Sequence, residues 1–233
     1  MDALAYLKKY GNPDTFEQDL KRLGQGKPVQ YIVGDVDFYG CPIIVNPNVL
    51  IPRFETEGLV EKVIAKMKNR THLKIVDLGT GSGCIAIALK KQLNCEMDAV
   101  DISKEALQVA RENAKINQVD ITFYEGDFLE PLHDTYDVII SNPPYIAYEE
   151  EIMDIVRKNE PQIALYAEDN GLLCYKRILT DAKSYLKADG IIAFEIGYQQ
   201  GEVLKEYARK LFPTKKITIE KDLQEKDRYL FIE

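Results

Sequence analysis

The sequence predicts an α/β protein built on a mostly parallel sheet with an antiparallel edge, preceded by a small helical region and a β-hairpin. From residue 73 onward, short apolar runs alternate with amphipathic helical stretches, which is typical of βα units. Two β-type runs near the carboxyl end, at 216–220 and 229–232, have no helix between them and indicate an antiparallel pair. At 233 residues the chain can bury one main core and carry a modest appendage.

The first 56 residues predict local structure rather than a second core. Turn-type residues at 11–13 and 24–26 break the opening stretch into two short, polar helices. Runs rich in β-forming residues at 36–39 and 43–45 flank the turn-type residues 40–42 and indicate a β-hairpin. The two helices are too small to fold alone, so we expect them to form a cap on the rest of the chain.

The main domain is predicted from apolar periodicity. Apolar residues between 59 and 67 recur at helical spacing and open this domain. Later helices include one that Ser103 can cap and one over 171–186, which ends before the turn residues Asp189-Gly190. The strands that alternate with helices are predicted at 74–78, 97–100, 121–124, 136–141 and 190–195.

Charge and cysteine usage disfavour several classes of function. The 38 acidic residues against 30 basic ones give a formal charge of -8, which disfavours general binding to phosphate backbones. No apolar run approaches the roughly 20 residues needed to cross a bilayer, and the polar start is unlike a signal peptide, so we expect a cytoplasmic protein without membrane contacts. No metal-ligand spacing is visible. The single cysteines, expected to be buried thiols, are Cys41, Cys84, Cys95 and Cys174.

A glycine-rich segment marks the first candidate site. In Asp77-Leu78-Gly79-Thr80-Gly81-Ser82-Gly83 a strand runs into a helix, and the glycines let the backbone approach a ligand closely. Residues 81–86 alone also satisfy the dinucleotide fingerprint, which expects an acid roughly twenty residues later. Asp101 stands there, where a carboxylate can accept both ribose hydroxyls of a nucleoside. This combination fits S-adenosylmethionine and NAD equally well.

Two more segments follow predicted strands and therefore face the same crevice. Asp127-Phe128 can contact an adenine amino group and ring face, or else form a plain surface loop. In Ser141-Asn142-Pro143-Pro144-Tyr145 the prolines fix φ, lack backbone donors and leave carbonyls free to accept. The Asn142 side-chain oxygen and the Pro143 carbonyl can each take one hydrogen of an NH₂ group. Tyr145 supplies an aromatic wall for a planar group.

The Asn-Pro-Pro-Tyr segment favours methyl transfer to a planar nitrogen. An amide nitrogen is a poor nucleophile because its lone pair is delocalised, so such a site must supply alignment and electrostatic help rather than a strong base. From other classes, a cofactor-binding sensor or a nicotinamide oxidoreductase would leave this segment without a role. The sequence therefore predicts that Asn142, Pro143 and Tyr145 act at the reacting group.

The glycine-rich segment together with Asn142-Pro143-Pro144-Tyr145 resembles the class I methyltransferases that modify planar amino nitrogens. Further stretches look like the protein-(glutamine-N5) methyltransferases that act on peptide chain release factors, the HemK/PrmC family. The resemblance covers about residues 22–233. The stretches that carry it lie at 27–34, 38–40, 50–57, 160–165, 221–223 and 227–229.

This resemblance implies a seven-stranded Rossmann-like domain that binds S-adenosylmethionine through residues 79–83, Asp101, Phe128 and Asn142, with S-adenosylhomocysteine as the product. It implies that residues 142–145, with Arg53, hold the glutamine of the Gly-Gly-Gln motif of a bacterial release factor. Methylation of this glutamine would modulate translation termination. It also suggests a shortened N-terminal helical region at 1–30, a linker hairpin at 31–56 and a methyltransferase domain at 57–233. A ribosomal-protein glutamine and the N6 of adenine stay open as alternative substrates.

Overall fold

The structure is a computed structural model that describes residues 2–233. Its strands are β1 (Asp35–Phe38), β2 (Cys41–Ile44), β3 (Leu73–Leu78), β4 (Cys95–Asp101), β5 (Thr122–Glu125), β6 (Tyr136–Ser141), β7 (Leu186–Glu195), β8 (Ile217–Lys221) and β9 (Asp227–Ile232). Its α-helices are α1 (Ala3–Tyr10), α2 (Phe16–Gly24), α3 (Val29–Val33), α4 (Phe54–Met67), α5 (Cys84–Gln92), α6 (Lys104–Ile116), α7 (Asp154–Asn159), α8 (Glu168–Gly171), α9 (Leu173–Ala182) and α10 (Gly201–Leu211).

The seven strands from β3 to β9 form one sheet in the order β5-β4-β3-β6-β7-β9-β8. Pairing is parallel from β5 through β7, and antiparallel where β9 joins β7 and β8. From β3 the chain moves outward to β4 and β5, then returns to the other side of β3 for β6 and β7. Such a reversal opens a crevice at the carboxyl ends of the strands. The predicted mostly parallel sheet with an antiparallel edge is confirmed.

The central strands are buried on both faces, which explains their near-continuous apolar sequences. β6 is buried at every position and β3 at all but one, as is typical of parallel strands covered by helices. On one face Val63 of α4, Ile87 of α5 and Val109 of α6 belong to the core. On the other face Ile178 of α9 and Leu204 of α10 do so. Because helices cover both faces of the sheet, a ligand can reach it only at the ends of the strands.

The hairpin turn is shorter than predicted. β1 and β2 pair with Phe38 opposite Cys41 and Asp37 opposite Pro42, so the loop is Tyr39-Gly40 and the predicted loop at 40–42 is wrong. Both loop residues have positive φ, 51° and 74°, which matches the type I′ turn that two-residue hairpins favour. Pro42 is tolerated because each strand of a two-stranded sheet is an edge strand.

β7 begins four residues earlier than predicted, and α9 ends four residues earlier. The register between β6 and β7 shifts here, because Tyr136 pairs with Leu186 whereas Val138 pairs with Ile191. The extra residues on β7 form an irregularity that accommodates the turn-type pair Asp189-Gly190 inside a strand. The prediction that this pair separates helix from strand is therefore wrong.

The first helices form a small apolar cluster, in which Leu7 of α1 packs with Val29 and Ile32 of α3. α1 and α2 match the two predicted short helices, whereas α3 is a helix that the sequence pattern does not predict. The division of the chain at residues 30 and 56 stays a prediction. Across residues 2–233, no helix combines the length and apolar character needed to cross a membrane.

A buried asparagine fastens the hairpin to the main sheet. Asn113 Nδ2 in α6 donates to the carbonyls of Ile44, at 3.0 Å, and Ser82, at 2.9 Å. Its Oδ1 accepts from the Ile44 N–H at 2.7 Å. Just after α6, Asn117 Nδ2 donates to the Pro42 carbonyl at 2.8 Å. Asn113 therefore joins the hairpin to the glycine-rich segment that contains Ser82.

Replacing Asn113 by alanine should lower the free energy of unfolding by about 2–4 kcal/mol, because each buried backbone group left without a partner costs about 1–3 kcal/mol. Urea denaturation followed by circular dichroism measures the change. The matched control is Glu112→Ala at the exposed neighbouring position of α6, which should change stability by less than about 0.5 kcal/mol. Equal losses in the two variants would show that Asn113 is no anchor.

Candidate active site

The carboxyl ends of β3, β4 and β6 border a cavity of about 260 Å³, here named the loop cavity. Ser141 Oγ at the end of β6 donates to the Leu78 carbonyl at the end of β3 at 2.6 Å, which holds these strand ends side by side. The cavity lies at the reversal of strand order, as the crevice rule predicts. The predicted cofactor residues that line it are Gly79, Gly81, Asp101, Asp127, Phe128 and Asn142.

Positive φ angles shape the glycine-rich segment. Gly79, Gly81 and Gly83 have φ of 70°, 55° and 82°, a region that residues with a Cβ rarely adopt. A Cβ added to Gly79 or Gly81 would meet no atom within 4 Å, whereas one on Gly83 would lie 3.2 Å from the Ala110 Cβ. The first two glycines thus leave open space beside the loop cavity, and Gly83 permits close packing of α5 on α6.

Asp101 joins the glycine-rich segment from the neighbouring strand. Its Oδ2 accepts from the Gly81 N–H at 2.8 Å, and its Oδ1 accepts from the Ser103 N–H at 2.9 Å. Burial raises the pKa of Asp101 above its ordinary value, although these N–H donors oppose the shift. Because a carboxylate offers about four acceptor sites, each oxygen keeps capacity for a ligand hydroxyl.

Asp127 and Phe128 line the loop cavity together with Arg177, which the sequence pattern does not predict. Arg177 Nη2 in α9 donates to Asp127 Oδ2 at 2.7 Å. The guanidinium carbon of Arg177 lies 5.6 Å from the centre of the Phe128 ring. One oxygen of Asp127 is therefore engaged by the arginine, and the other keeps the capacity to accept from a ligand amino group.

Asp77, Thr80, Ser82 and Gly83 are buried beneath the glycine-rich segment and are not among the described residues that line the loop cavity. Asp77 Oδ2 accepts from Thr80 Oγ1 at 2.6 Å, which braces the loop from below. Within residues 2–233, Asp77 Oδ1 has no hydrogen-bonding partner. Burial raises the pKa of Asp77 to about 7. These contacts support the loop, and direct contact with a cofactor stays a prediction for all four.

A second cavity, of about 220 Å³, adjoins the first and is here named the motif cavity after residues 142–145. Leu50, Asn142 and Ala164 line both cavities, so Asn142 stands between them. Pro144 faces the loop cavity. The predicted substrate residues that line the motif cavity are Arg53, Asn142, Pro143 and Tyr145.

The side-chain amide of Asn142 has a defined orientation. Its Nδ2 donates to Thr56 Oγ1 at 3.1 Å, and no group within residues 2–233 donates to its Oδ1. The Pro143 carbonyl likewise receives no hydrogen bond from the part of the chain that the structure describes. Two acceptors on successive residues are therefore free, and a primary amide or an exocyclic NH₂ group has two donors to match them.

Arg53 is held at the motif cavity by a buried carboxylate. Its Nη2 donates to Glu160 Oε1 at 2.6 Å, and Glu160 Oε2 accepts from the Ile51 N–H at 3.0 Å. Glu160 is only 5 % exposed, so this pair is shielded from water on the carboxylate side. The contacts tie the segment before α4 to the residue after α7. Arg53 keeps further N–H donors for a ligand.

Sequence comparison shows which family the chain belongs to. Residues 56–159 match the family model described as methyltransferase small domain. Over 224 residues the chain is 46 % identical to the release factor glutamine methyltransferase of Enterococcus faecalis, and the match covers 94 % of this chain and 80 % of that relative. The chain belongs to the release factor glutamine methyltransferase family.

Solved methyltransferase structures share the fold of this protein. A methyltransferase from Pyrococcus furiosus matches with a TM-score of 0.64 and 19 % identity, over 93 % of this chain and 98 % of that one. A 16S rRNA methyltransferase of T. thermophilus, in complex with AdoMet and guanosine, matches with a TM-score of 0.61 and 15 % identity, over 85 % and 49 %. At these identities the likeness shows the fold alone, and it confirms the class I methyltransferase sheet.

The sequence pattern does not mark four side chains that either line a cavity or bind a residue that lines one. Thr56 and Glu160 fall in stretches that carry the family resemblance, but nothing in the pattern gives their contacts. Glu195 ends β7, a position that the crevice rule favours for ligand contact. Arg177 lies on an exposed helix position, and we find no sequence signal that marks it.

Asp77 should make the free energy of unfolding of this protein depend on pH. Its pKa of about 7 exceeds the ordinary 3.8, so the folded chain binds this proton more tightly than the unfolded chain. The resulting stabilisation is present below about pH 4 and is lost as the pH rises through about 7. Asp77→Asn removes this titration.

Urea denaturation of the wild type and of Asp77→Asn at pH 5 and pH 8 checks this linkage. The free energy of unfolding of the wild type, relative to that of the variant, should fall between the two pH values. A difference that is the same at both would contradict the raised pKa of Asp77.

Proposed function

We propose that the protein transfers a methyl group from S-adenosylmethionine to the side-chain amide nitrogen of the glutamine in the Gly-Gly-Gln motif of peptide chain release factors. The observation that carries the proposal is the pair of free acceptors, Asn142 Oδ1 and the Pro143 carbonyl, at the junction of two adjoining cavities. The relative from Enterococcus faecalis is named release factor glutamine methyltransferase and supports the substrate. The methylated nitrogen would lose one of its protons to solvent, and S-adenosylhomocysteine would be the second product.

The loop cavity suits the nucleoside part of S-adenosylmethionine. Asp101 would accept from the ribose hydroxyls, and Gly79 and Gly81 leave room for close approach of the ligand to the backbone. Phe128 would cover the adenine face, with Asp127 accepting from its amino group. Bound there, S-adenosylmethionine supplies a methyl group already activated by a sulfonium.

The motif cavity would orient the glutamine amide. Asn142 Oδ1 and the Pro143 carbonyl each accept one N–H, which fixes the plane of the amide and turns its nitrogen lone pair toward the neighbouring loop cavity. Tyr145 provides an aromatic wall, and Arg53 offers donors to the substrate. Because the amide nitrogen is a weak nucleophile, alignment and electrostatic support are the main contributions that these residues can make.

Two other methyl acceptors fit the same pair of acceptors. A glutamine of a ribosomal protein presents an identical amide, and adenine presents an exocyclic NH₂ at N6. The formal charge of -8 disfavours a nucleic-acid substrate. The similarity to the release factor glutamine methyltransferase of Enterococcus faecalis favours a release factor over a ribosomal protein. We further propose a cytoplasmic location and no membrane or nucleic-acid partner.

Incubation of the protein with labelled S-adenosylmethionine and, separately, with release factor, ribosomal protein and DNA tests the substrate. Mass spectrometry should find one methyl group on the glutamine of Gly-Gly-Gln in the release factor. Label on adenine or on a ribosomal-protein glutamine alone would overturn the proposal.

Asn142→Ala should lower the turnover number by about 10²- to 10³-fold, the scale seen when one preorganised polar contact is removed. Cofactor affinity, measured in parallel by calorimetry, should change much less, because the loop cavity keeps its other contacts. Methyl transfer at the wild-type rate would remove Asn142 from the mechanism.

Asp101→Ala should weaken S-adenosylmethionine binding by about 10- to 100-fold, because hydrogen bonds to a charged group contribute about 1.5–3 kcal/mol. Isothermal titration calorimetry measures the Kd. Glu105→Ala, an exposed carboxylate in the first turn of α6, is the matched control and should leave the Kd within about twofold. If both variants bind like the wild type, Asp101 does not hold the ribose.

A further inference from the structure

Glu195 lines the motif cavity although it is only 2 % exposed. Its Oε2 accepts from Thr56 Oγ1 at 2.6 Å, and its Oε1 accepts from the Tyr145 hydroxyl at the longer distance of 3.4 Å. The pKa of Glu195 lies above its ordinary value because of burial, although the Thr56 hydroxyl and the Arg228 guanidinium oppose the rise. A buried carboxylate is costly unless donors satisfy it. The function proposed above gives Glu195 no role.

Two hydrogen bonds connect Asn142 to Glu195 through the Thr56 hydroxyl, and both run toward Glu195. Thr56 has a single hydroxyl proton. The Thr56 and Tyr145 hydroxyls and the Arg228 guanidinium favour the ionised form of Glu195, and an ionised carboxylate can only accept. The Thr56 proton therefore points to Glu195 at 2.6 Å, which leaves Thr56 Oγ1 to accept from Asn142 Nδ2 at 3.1 Å. With its nitrogen engaged in this way, the Asn142 amide presents its oxygen as the free end.

We propose that Glu195, acting through Thr56, is a positioning residue that determines which end of the Asn142 side chain faces the substrate. The inference rests on the proposed function, because the Asn142 oxygen matters only when an NH₂ group enters the motif cavity. Without an acceptor at Glu195, the Thr56 hydroxyl can donate to Asn142 Oδ1. The amide then turns over and offers N–H donors to a substrate that brings donors itself.

The same carboxylate also contacts the second side chain of the motif. Tyr145 forms a wall of the motif cavity, and its hydroxyl donates to the other oxygen of Glu195. Glu195 thus fixes a hydrogen-bonding side chain through Thr56 and an aromatic side chain directly. This explains why a buried acid stands at the end of β7.

The two hydrogen bonds from Asn142 through Thr56 to Glu195 are here named the relay. Two substitutions at Thr56 test it. Thr56→Val removes the hydroxyl at similar shape and should lower kcat for release factor methylation by about 10- to 100-fold. The Kd for S-adenosylmethionine should stay within about threefold, because Thr56 is not among the described residues that line the loop cavity. Thr56→Ser keeps the hydroxyl and should restore kcat to within about threefold of the wild type.

The matched control is Thr218→Val in β8. Thr218 Oγ1 is also buried, but it has no hydrogen-bonding partner within residues 2–233. Thr218→Val should therefore keep wild-type turnover. Glu195→Gln, whose amide can donate as well as accept, should lower kcat to a value between those of Thr56→Ser and Thr56→Val.

A double-mutant cycle separates positioning from general structural support. If Thr56 acts only through Asn142, Thr56→Val should add less than about a further twofold loss in the Asn142→Ala background, as for residues that act as a unit. Wild-type kcat in Thr56→Val, or the same factor lost in both backgrounds, would overturn the proposal.

A spectroscopic readout works without any substrate. In protein labelled with ¹⁵N-asparagine, the side-chain resonances of Asn142 are identified by their loss in Asn142→Ala. One Nδ2 proton should exchange slowly with solvent in the wild type and in Thr56→Ser, and rapidly in Thr56→Val. Slow exchange without methylation of a release factor would refute the proposed function and leave the relay intact. Fast exchange in the wild type would refute the relay itself.

Discussion

The parallel pairing of β3 with β6 is the constraint on which the candidate active site depends. Leu78 and Ser141 stand opposite each other at the ends of these strands, and the Ser141 hydroxyl donates to the Leu78 carbonyl at 2.6 Å. The residues are 63 positions apart along the chain. Their pairing brings the glycine-rich segment and residues 142–145 to one crevice. A slip of register would separate the two cavities that Asn142 joins.

Buried or half-buried carboxylates hold the loops around this crevice, and each does so through short hydrogen bonds to neighbouring segments. Asp101 accepts from the Gly81 N–H, Glu160 accepts from Ile51 and Arg53, and Glu195 accepts from the Thr56 hydroxyl. Buried charges without such partners would be strongly destabilising. The donors come from segments distant in sequence. The carboxylates therefore preorganise the site, so that little reordering is required when ligands bind.

Much of the fold and part of the site follow from local sequence. Alternating apolar runs predict the sheet because parallel strands covered by helices need continuous apolar residues, and the Asn142 and Gly81 segments are recognisable from residue type alone. The Tyr39-Gly40 turn is missed because the adjacent proline suggests a longer loop. The contact of Thr56 with Glu195 could not be predicted, since it joins residues 139 positions apart. Such contacts depend on how α4 packs beside β7, which no local pattern encodes.

The most direct test of this account is a crystal structure of the protein with S-adenosylhomocysteine and a peptide that contains Gly-Gly-Gln. We expect the glutamine side-chain nitrogen to lie within hydrogen-bonding distance of both Asn142 Oδ1 and the Pro143 carbonyl, at about 2.7–3.2 Å, with the cofactor product in the loop cavity. A glutamine bound elsewhere, or residues 142–145 turned away from the cofactor, would contradict the central claim.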